Sequence, residues 1–402
     1  MSEQIETWCD RDEHKLFEYF SDFNEWLDSP DEDGAQAIRK DNGIDRLSQP
    51  SKAFYAGDKE AYDQAFKAYR LQRRHDVLSK ESLNDHWYER NEERFNQLVE
   101  RLLENGVVPF VGAGVSVAGG FPSWKNHLRQ QGTTAGIDSD RIEHYLANGQ
   151  YETVIEEIES KRGRDVFAQE IRDVFSKTGE ITDITLRLSE LFSDTLITTN
   201  YDRLLEQALD TGSKKIQAVH GIDALTKADP KQITIYKLHG DTKTPHRCIL
   251  GKSQYDTVYG ADRLDMTLPI PKLLQYYFTN SSLLFVGCSM RNDRTMQVFK
   301  AVKQSLGDRD LPQHFSIEQL PDAEEDLVTR NAELLSLGMT AIWYESGQYH
   351  LVEEILRHAR NEVTYLQGDI EKHRPLPPTP ESPEAHHKGW REWLKKTLSR
   401  PN

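Results

Sequence analysis

The run VVPFVGAG at 107–114 constrains this chain more than any other stretch. A short apolar run that ends in glycines predicts a strand buried on both faces and feeding a tight turn. Such a strand requires a parallel sheet with helices on either side. Pro109 lies inside it and lacks the N–H that a central strand normally donates. Further apolar runs recur at 194–199 (DTLITT), 233–238 (ITIYKL), 282–287 (SLLFVG), 314–318 (HFSIE) and 340–344 (TAIWY). Helical patterns fall between them, around 140–160, 164–176, 183–192, 203–210, 270–279, 291–305 and 323–336. Strands alternating with helices predict an α/β fold: a Rossmann-like, doubly wound parallel sheet. The stretches 123–192 and 241–280 are long enough for a helical subdomain beside it.

The residues before this run follow another pattern. Leu16, Phe20, Phe23 and Leu27 share one face of a helix, ended by Ser29-Pro30 and Asp33-Gly34. Residues 34–52 are polar and irregular. Helices fit 58–73, with Tyr62, Phe66 and Tyr69 on one face, and 83–104, stopped by Asn105-Gly106. Residues 1–105 are therefore expected to form an N-terminal helical extension for assembly or regulation. Residues 106–370 form the main domain, and 371–402 a proline-rich linker with a short terminal helix at 390–398.

Charge is uneven. The chain carries −16 overall, and residues 1–34 hold twelve acids against Arg11 and Lys15. Such asymmetry marks an appended segment. An acidic chain lacks the footprint of a general nucleic-acid binder, so no direct nucleic-acid contact is expected. No apolar run approaches ~18 residues, so no membrane span is expected. The N-terminus lacks a secretory h-region. Three cysteines (Cys9, Cys248, Cys288) with no C-x-x-C pair make no zinc ribbon and suit a cytoplasmic location.

Four polar clusters fall at predicted strand ends, where open α/β sheets gather ligands. The first is Gly112-Ala113-Gly114-Val115-Ser116, whose glycines would let a pyrophosphate approach the backbone and a helix N-terminus. It departs from the Rossmann fingerprint. Val117 stands in place of the third glycine, and 121–137 holds no acid for a ribose. The second is Thr198-Thr199-Asn200-Tyr201-Asp202, in which Asn200 or Asp202 serves either a ligand or as cap of the helix near Arg203. The third is Lys237-Leu238-His239-Gly240-Asp241, with His239 either a base or a backbone-bonded histidine. No apolar strand precedes the rival His220-Gly221, which ranks lower. The fourth is Gly287-Cys288-Ser289-Met290-Arg291-Asn292-Asp293, a phosphate or ribose turn, or a tight turn with a helix cap. His246-Arg247-Cys248 is too sparse for a metal site, and no base is evident for Cys288.

In this order the four clusters resemble the sirtuin family, and most closely the sirtuin-like NAD hydrolases of bacterial anti-phage defence. The resemblance covers roughly 107–360. Gly112-Ala113-Gly114-Val115-Ser116 with Gly120-Phe121-Pro122 matches the family's first nucleotide element, and Thr199-Asn200-Tyr201-Asp202 its Asn-x-Asp element. Lys237-Leu238-His239-Gly240 matches the histidine element, and Gly287-Cys288-Ser289 the second nucleotide turn. The resemblance implies NAD as substrate and no metal. Asn200 would hold the nicotinamide ribose, Asp202 the nicotinamide amide, and His239 would be the base. Gly112, Ala113 and Gly114 would hold the pyrophosphate, and Gly287 and Ser289 the adenosine side. Ser116, Phe121, Pro122 and Thr199 complete the cofactor-binding set.

Departures bear on the reaction. Ser123-Trp124-Lys125 replaces the Asp-Phe-Arg of acyl-removing sirtuins, Thr199 replaces their glutamine, and the four-cysteine ribbon has no counterpart. The resemblance therefore implies cleavage of NAD to nicotinamide and ADP-ribose by a regulated defence effector. The alternatives are an NAD-dependent protein deacylase and a non-catalytic NAD or ADP-ribose scaffold. By architecture the chain is similar to sirtuin subunits that pair with a HerA-type ATPase, which implies a homo-oligomer and an ATPase partner.

Overall fold

A computed structural model describes residues 11–225, 228–290, 293–306 and 311–372. The proline-rich linker, the 390–398 segment, Cys9, Arg291 and Asn292 lie outside the described residues. Six helices come first: α1 (Arg11–Glu18), α2 (Ser21–Asp28), α3 (Asp33–Asp41), α4 (Pro50–Gly57), α5 (Lys59–Val77) and α6 (Asp85–Leu103). Strand β1 (Val107–Val111) then leads into α7 (Ala113–Ala118), α8 (Trp124–Thr134), α9 (Ser139–Ala147), α10 (Tyr151–Arg162), α11 (Arg164–Phe175) and α12 (Asp183–Leu191). Next come β2 (Thr195–Thr198), α13 (Leu204–Leu209), β3 (Lys215–His220), β4 (Gln232–Lys237), α14 (Lys252–Tyr259) and α15 (Pro269–Asn280). The remainder is β5 (Ser282–Val286), α16 (Arg294–Leu306), β6 (His314–Gln319), α17 (Glu324–Ser336), β7 (Met339–Tyr344) and α18 (His350–Lys372).

The strands form one seven-stranded sheet in the order β3-β4-β2-β1-β5-β6-β7, and every pairing is parallel. Strand β5 is buried along its whole length, as an apolar run covered on both faces requires. Pro109 fits the centre of the sheet for a reason of register. Gly106 O accepts from Ser282 N and Gly112 N donates to Val286 O, so even-numbered residues of β1 face β5. Pro109 faces β2 instead, where pairing covers only Phe110 and Val111. Its missing N–H therefore leaves the β1–β5 ladder whole, and the β1–β2 ladder begins only beyond it.

One expectation is corrected here. Residues 215–220 (KIQAVH) are a strand, β3, so His220 does sit at a strand end. At one edge of the sheet it is only partly buried, and its interleaved polar residues break any apolar run.

Three apolar clusters organise the described residues. The largest surrounds the sheet and includes Phe110, Leu284, Phe285, Ile317 and Trp343. Helix α6 contributes Phe95, Leu98, Val99 and Leu102 to it, so its inner face belongs to the sheet's helical layer. The second cluster lies in α8–α11, the helical lobe expected over 123–192, and includes Leu128, Ile142, Ile155, Phe167 and Phe175.

The third belongs to α1–α5. Phe17, Phe23, Leu27, Phe54, Tyr62, Phe66 and Tyr69 pack with Tyr365 of α18. The single helix expected over Leu16–Leu27 is two, because Tyr19 N and Phe20 N bond three residues back and break the ladder. Residues 34–52 are not irregular: they hold α3 and the start of α4. Buried Arg39 of α3 donates to Leu27 O and Ser29 O, which stops α2. Ion pairs from Arg70 and Arg74 to buried Glu362 fasten this unit to α18. Helix α6 stops as expected, but Asn105, at φ 54°, takes the left-handed turn expected of Gly106.

Candidate active site

Strand order reverses at β1, with β2 on one side and β5 on the other. A crevice opens beyond strand ends at such a switch point. Here it is a cleft of about 520 Å³ between the sheet and the helical lobe.

Two glycine turns form its floor. The turns after β1 and β5 touch backbone to backbone. Gly114 N donates to Gly287 O at 2.9 Å, and a Cβ on Gly114 would lie 2.9 Å from Gly287 Cα. A Cβ on Gly112 would meet Gly287 O at 2.4 Å. Gly287 itself has φ +67°, which favours glycine. Sequence reasoning brought these turns to one site, and the packing explains why each needs glycine.

The Asn-x-Asp segment follows β2. Asn200 donates through Nδ2 to Gly112 O and to Ser116 Oγ, both at 2.9 Å. Because a carbonyl only accepts, this fixes which end of the amide is nitrogen. Asn200 Oδ1 is buried and has no hydrogen-bond partner among the described residues. It is an acceptor suited to a sugar hydroxyl. Ser116 in turn donates to Asp202 Oδ2 at 2.6 Å, while Asp202 Oδ1 accepts from Leu204 N at 3.0 Å. Asp202 therefore precedes the N-cap of α13, accepts from the first N–H of that helix, and lines the cleft at once. The two sequence readings of that residue are compatible. Beneath it, Lys237 is buried, donates to Asp202 O and pairs with Glu206 at 3.2 Å.

His239 follows β4 and is largely buried. Its Nδ1 lies 3.3 Å from Tyr255 Oη and its Nε2 3.0 Å from Tyr259 Oη, which also contacts Thr295 Oγ1 at 3.2 Å. Burial pushes the imidazole down to about 4, so it is neutral near pH 7 and able to accept a proton. His220 bonds elsewhere, with Nε2 3.6 Å from Asp241 Oδ2 and Nδ1 3.3 Å from Thr244 Oγ1, and it does not line the cleft. Burial raises Asp241, but the His220 hydrogen bond and the Lys237 charge outweigh this and hold it at about 2.

The rim joins the lobe to the sheet. Arg294 at the start of α16 pairs bidentately with Glu152 of α10 and reaches Asp256 of α14 at 2.6 Å. Asp293 accepts from Met296 N at 2.9 Å and caps α16. Cys288 lines the cleft, but burial drives its thiol far up and Sγ faces Phe110 O at 3.5 Å, so it is no thiolate nucleophile. Cys248 is buried against Asp241 O, away from any metal set with His246. Among the described residues, no group of three or more His, Cys, Asp or Glu side chains is arranged to hold a metal ion.

Of the expected residues, Gly112, Ala113, Gly114, Ser116, Pro122, Thr199, Asn200, Asp202, His239, Gly287 and Ser289 all line this cleft. Phe121 does not. It turns into the lobe core and stacks on Phe175 with centroids 6.1 Å apart. Sequence reasoning missed Tyr255, Tyr259, Glu152 and Arg294. The two tyrosines, four residues apart on one helix face and shortly after His239, were the available signal.

Residues 194–342, from β2 through most of β7, match the family model described as SIR2-like domain. The chain is similar to NAD(+) hydrolase ThsA of Bacillus cereus (strain MSX-D12), 27% identical over 275 residues, or 66% of this chain and 56% of the relative. It is likewise similar to NAD(+) hydrolase ThsA of Acinetobacter baumannii (strain 532279), 29% identical over 290 residues, or 68% and 58%. That of Cytobacillus dafuensis is 26% identical over 212 residues, or 52% and 41%. The chain spans about half the length of the curated relatives it matches.

Proposed function

We propose that this chain, which carries a SIR2-like domain, hydrolyses NAD+ to nicotinamide and ADP-ribose. The observation that carries the proposal is the convergence of Asn200, Asp202, His239 and both glycine turns on one cleft. The unpartnered Oδ1 of Asn200 accepts from a ribose hydroxyl, and the Gly112–Gly114 turn at the start of α7 receives the pyrophosphate. The C1′–N bond breaks and its electron pair leaves with nicotinamide. That leaving group is cationic in NAD+ and departs neutral, so no general acid is needed. Water attacks the oxocarbenium-like C1′ and gives its proton to His239.

Chromatography of products from the full chain incubated with NAD+ tests this. The wild type should release nicotinamide and ADP-ribose, and Asn200→Ala and His239→Ala should each lower the rate at least 100-fold. Release that survives both substitutions removes the assignment. Formation of O-acyl-ADP-ribose from an acyl-lysine peptide would make the chain a deacylase instead. Binding without turnover would make it a scaffold.

In this reading the chain is a cytoplasmic, regulated effector of anti-phage defence. It assembles as a homo-oligomer with a HerA-type ATPase and uses the segment 1–105 for assembly. The apolar faces of α1 and α2 are spent inside the protein, whereas Glu25, Asp28, Asp31, Glu32 and Asp33 are exposed. That acidic surface remains for a partner. Mass photometry with and without such an ATPase checks the assembly. A monomer in both conditions would refute it.

A further inference from the structure

His239 is held by two tyrosines from one face of α14, and they do not meet it equivalently. Tyr259 is fully buried and lies outside the cleft lining. It meets Nε2 at 3.0 Å and Thr295 Oγ1 at 3.2 Å. Tyr255 lines the cleft and meets Nδ1 at 3.3 Å. Nε2 therefore points into the protein, and Nδ1 is the nitrogen on the substrate side. The rings hold this arrangement. Tyr255 and Tyr259 stack at 5.9 Å, each edge-on to the imidazole, and the Arg294 guanidinium lies 5.9 Å from the Tyr255 ring.

A neutral imidazole carries one N–H and one lone pair. Were Tyr259 to donate to Nε2, the proton would sit on Nδ1 and the cleft side would hold no base. Were Nε2–H to donate to Tyr259, the phenol could pass its own hydrogen to Thr295, and the Nδ1 lone pair would face the cleft. Hydrogen bonding at the remote nitrogen selects the tautomer in this way. The same lone pair is the one that Tyr255 Oη occupies.

We propose that the two tyrosines are opposed positioning residues of His239: Tyr259 holds the imidazole as the Nε2–H tautomer, and Tyr255 covers the Nδ1 lone pair until substrate displaces its hydroxyl. This rests on the hydrolase reading above. In the hydrolytic step Nδ1 takes the proton of the attacking water as the O–C1′ bond forms and the C1′–N pair leaves with nicotinamide. Tyr255 thus restrains the base and Tyr259 makes it usable, so their phenylalanine variants should move activity in opposite directions.

The test uses the full chain labelled with ¹⁵N-histidine and long-range ¹H–¹⁵N correlation, with His239 assigned by the signal lost in His239→Gln. Wild type should show the Nε2–H pattern. Tyr259→Phe should show mixed tautomers and a kcat lowered about tenfold or more, with KM little changed. Tyr255→Phe should keep the Nε2–H pattern and raise kcat/KM about two- to tenfold, since one competing hydrogen bond is gone. If Tyr259→Phe does not fold, Thr295→Val, which removes the outer acceptor, should shift the tautomer the same way. An Nδ1–H wild type, an unchanged tautomer in both Tyr259→Phe and Thr295→Val, or a Tyr255→Phe variant that loses activity overturns the proposal. Tautomer shifts as expected in a chain that releases no nicotinamide overturn the hydrolase reading and support the hydrogen-bond assignment.

Discussion

Ser116→Ala is the substitution that most directly probes how the site is held. The Ser116 hydroxyl accepts from Asn200 Nδ2 at 2.9 Å and donates to Asp202 Oδ2 at 2.6 Å, and all three residues are buried. Removing it deletes one bond between neutral groups and one to a carboxylate. Together these are worth about 3 kcal/mol, because a buried acceptor that loses its donor bears its own desolvation cost. The side chain borders the cleft, so a water entering the space would recover part of this and bring the loss to about 2 kcal/mol. Asn200 keeps its bond to Gly112 O but gains a rotation that Ser116 now blocks. A sugar-holding group displaced by about an ångström lowers kcat/KM roughly 100-fold. Urea denaturation and nicotinamide release read the two effects separately. Crossing Ser116→Ala with Asp202→Asn should give a coupling energy of about 1 kcal/mol or more. A variant with wild-type stability and wild-type turnover would refute the idea that this hydroxyl ties the β1 and β2 ends together.

Two further outcomes follow from buried charge. Lys237→Met should cost about 3 kcal/mol in denaturant unfolding, because it leaves buried Glu206 with only the 3.6 Å contact to partly exposed Arg203, and Lys237→Met/Glu206→Leu should recover most of that loss. A double variant no better than the single one would disprove it. Burial holds His127, His239 and His358 at about 4, against an ordinary 6.5. The unfolded chain takes up protons as pH falls through 6.5, while the folded chain does not until about 4. Stability should therefore drop across that window. His127→Leu should flatten the pH dependence of the urea midpoint, since that ring sits among Trp124, Phe167 and Phe175 with neither nitrogen bonded among the described residues. A wild-type midpoint that stays constant over this range refutes the account.

What the sequence reveals about this fold tracks burial. The strands β1, β2 and β4–β7 stand out because they are buried along most of their length and rich in apolar residues. Strand β3 does not, because its edge is open and keeps Lys215 and Ala218 exposed, whereas the other edge strand, β7, is covered. Helices α3 and α4 are short, and their stability comes from packing on α2 and α5 rather than from their own composition. The glycine turns and the Asn-x-Asp segment were legible because each sits immediately after a strand. Phe121 was misplaced because adjacency to Pro122 says nothing about which way a side chain turns. The Arg294–Glu152 pair and the Thr295 contact join residues far apart in sequence, and only packing brings them together.

The N-terminal aromatic cluster has a consequence for the order of synthesis. Its seal is Tyr365, and the Arg70–Glu362 bond that fastens it spans 292 residues. At ~5–20 residues per second, roughly 15–60 s pass between the emergence of these two partners from the ribosome. During that interval α1–α5 expose Phe66 and Tyr69, which α18 later covers or flanks, while β1, β2 and β4 with the residues of the cleft are already made. The α1–α5 unit is thus translated early and finished late, and its completion reports that α18 has been delivered.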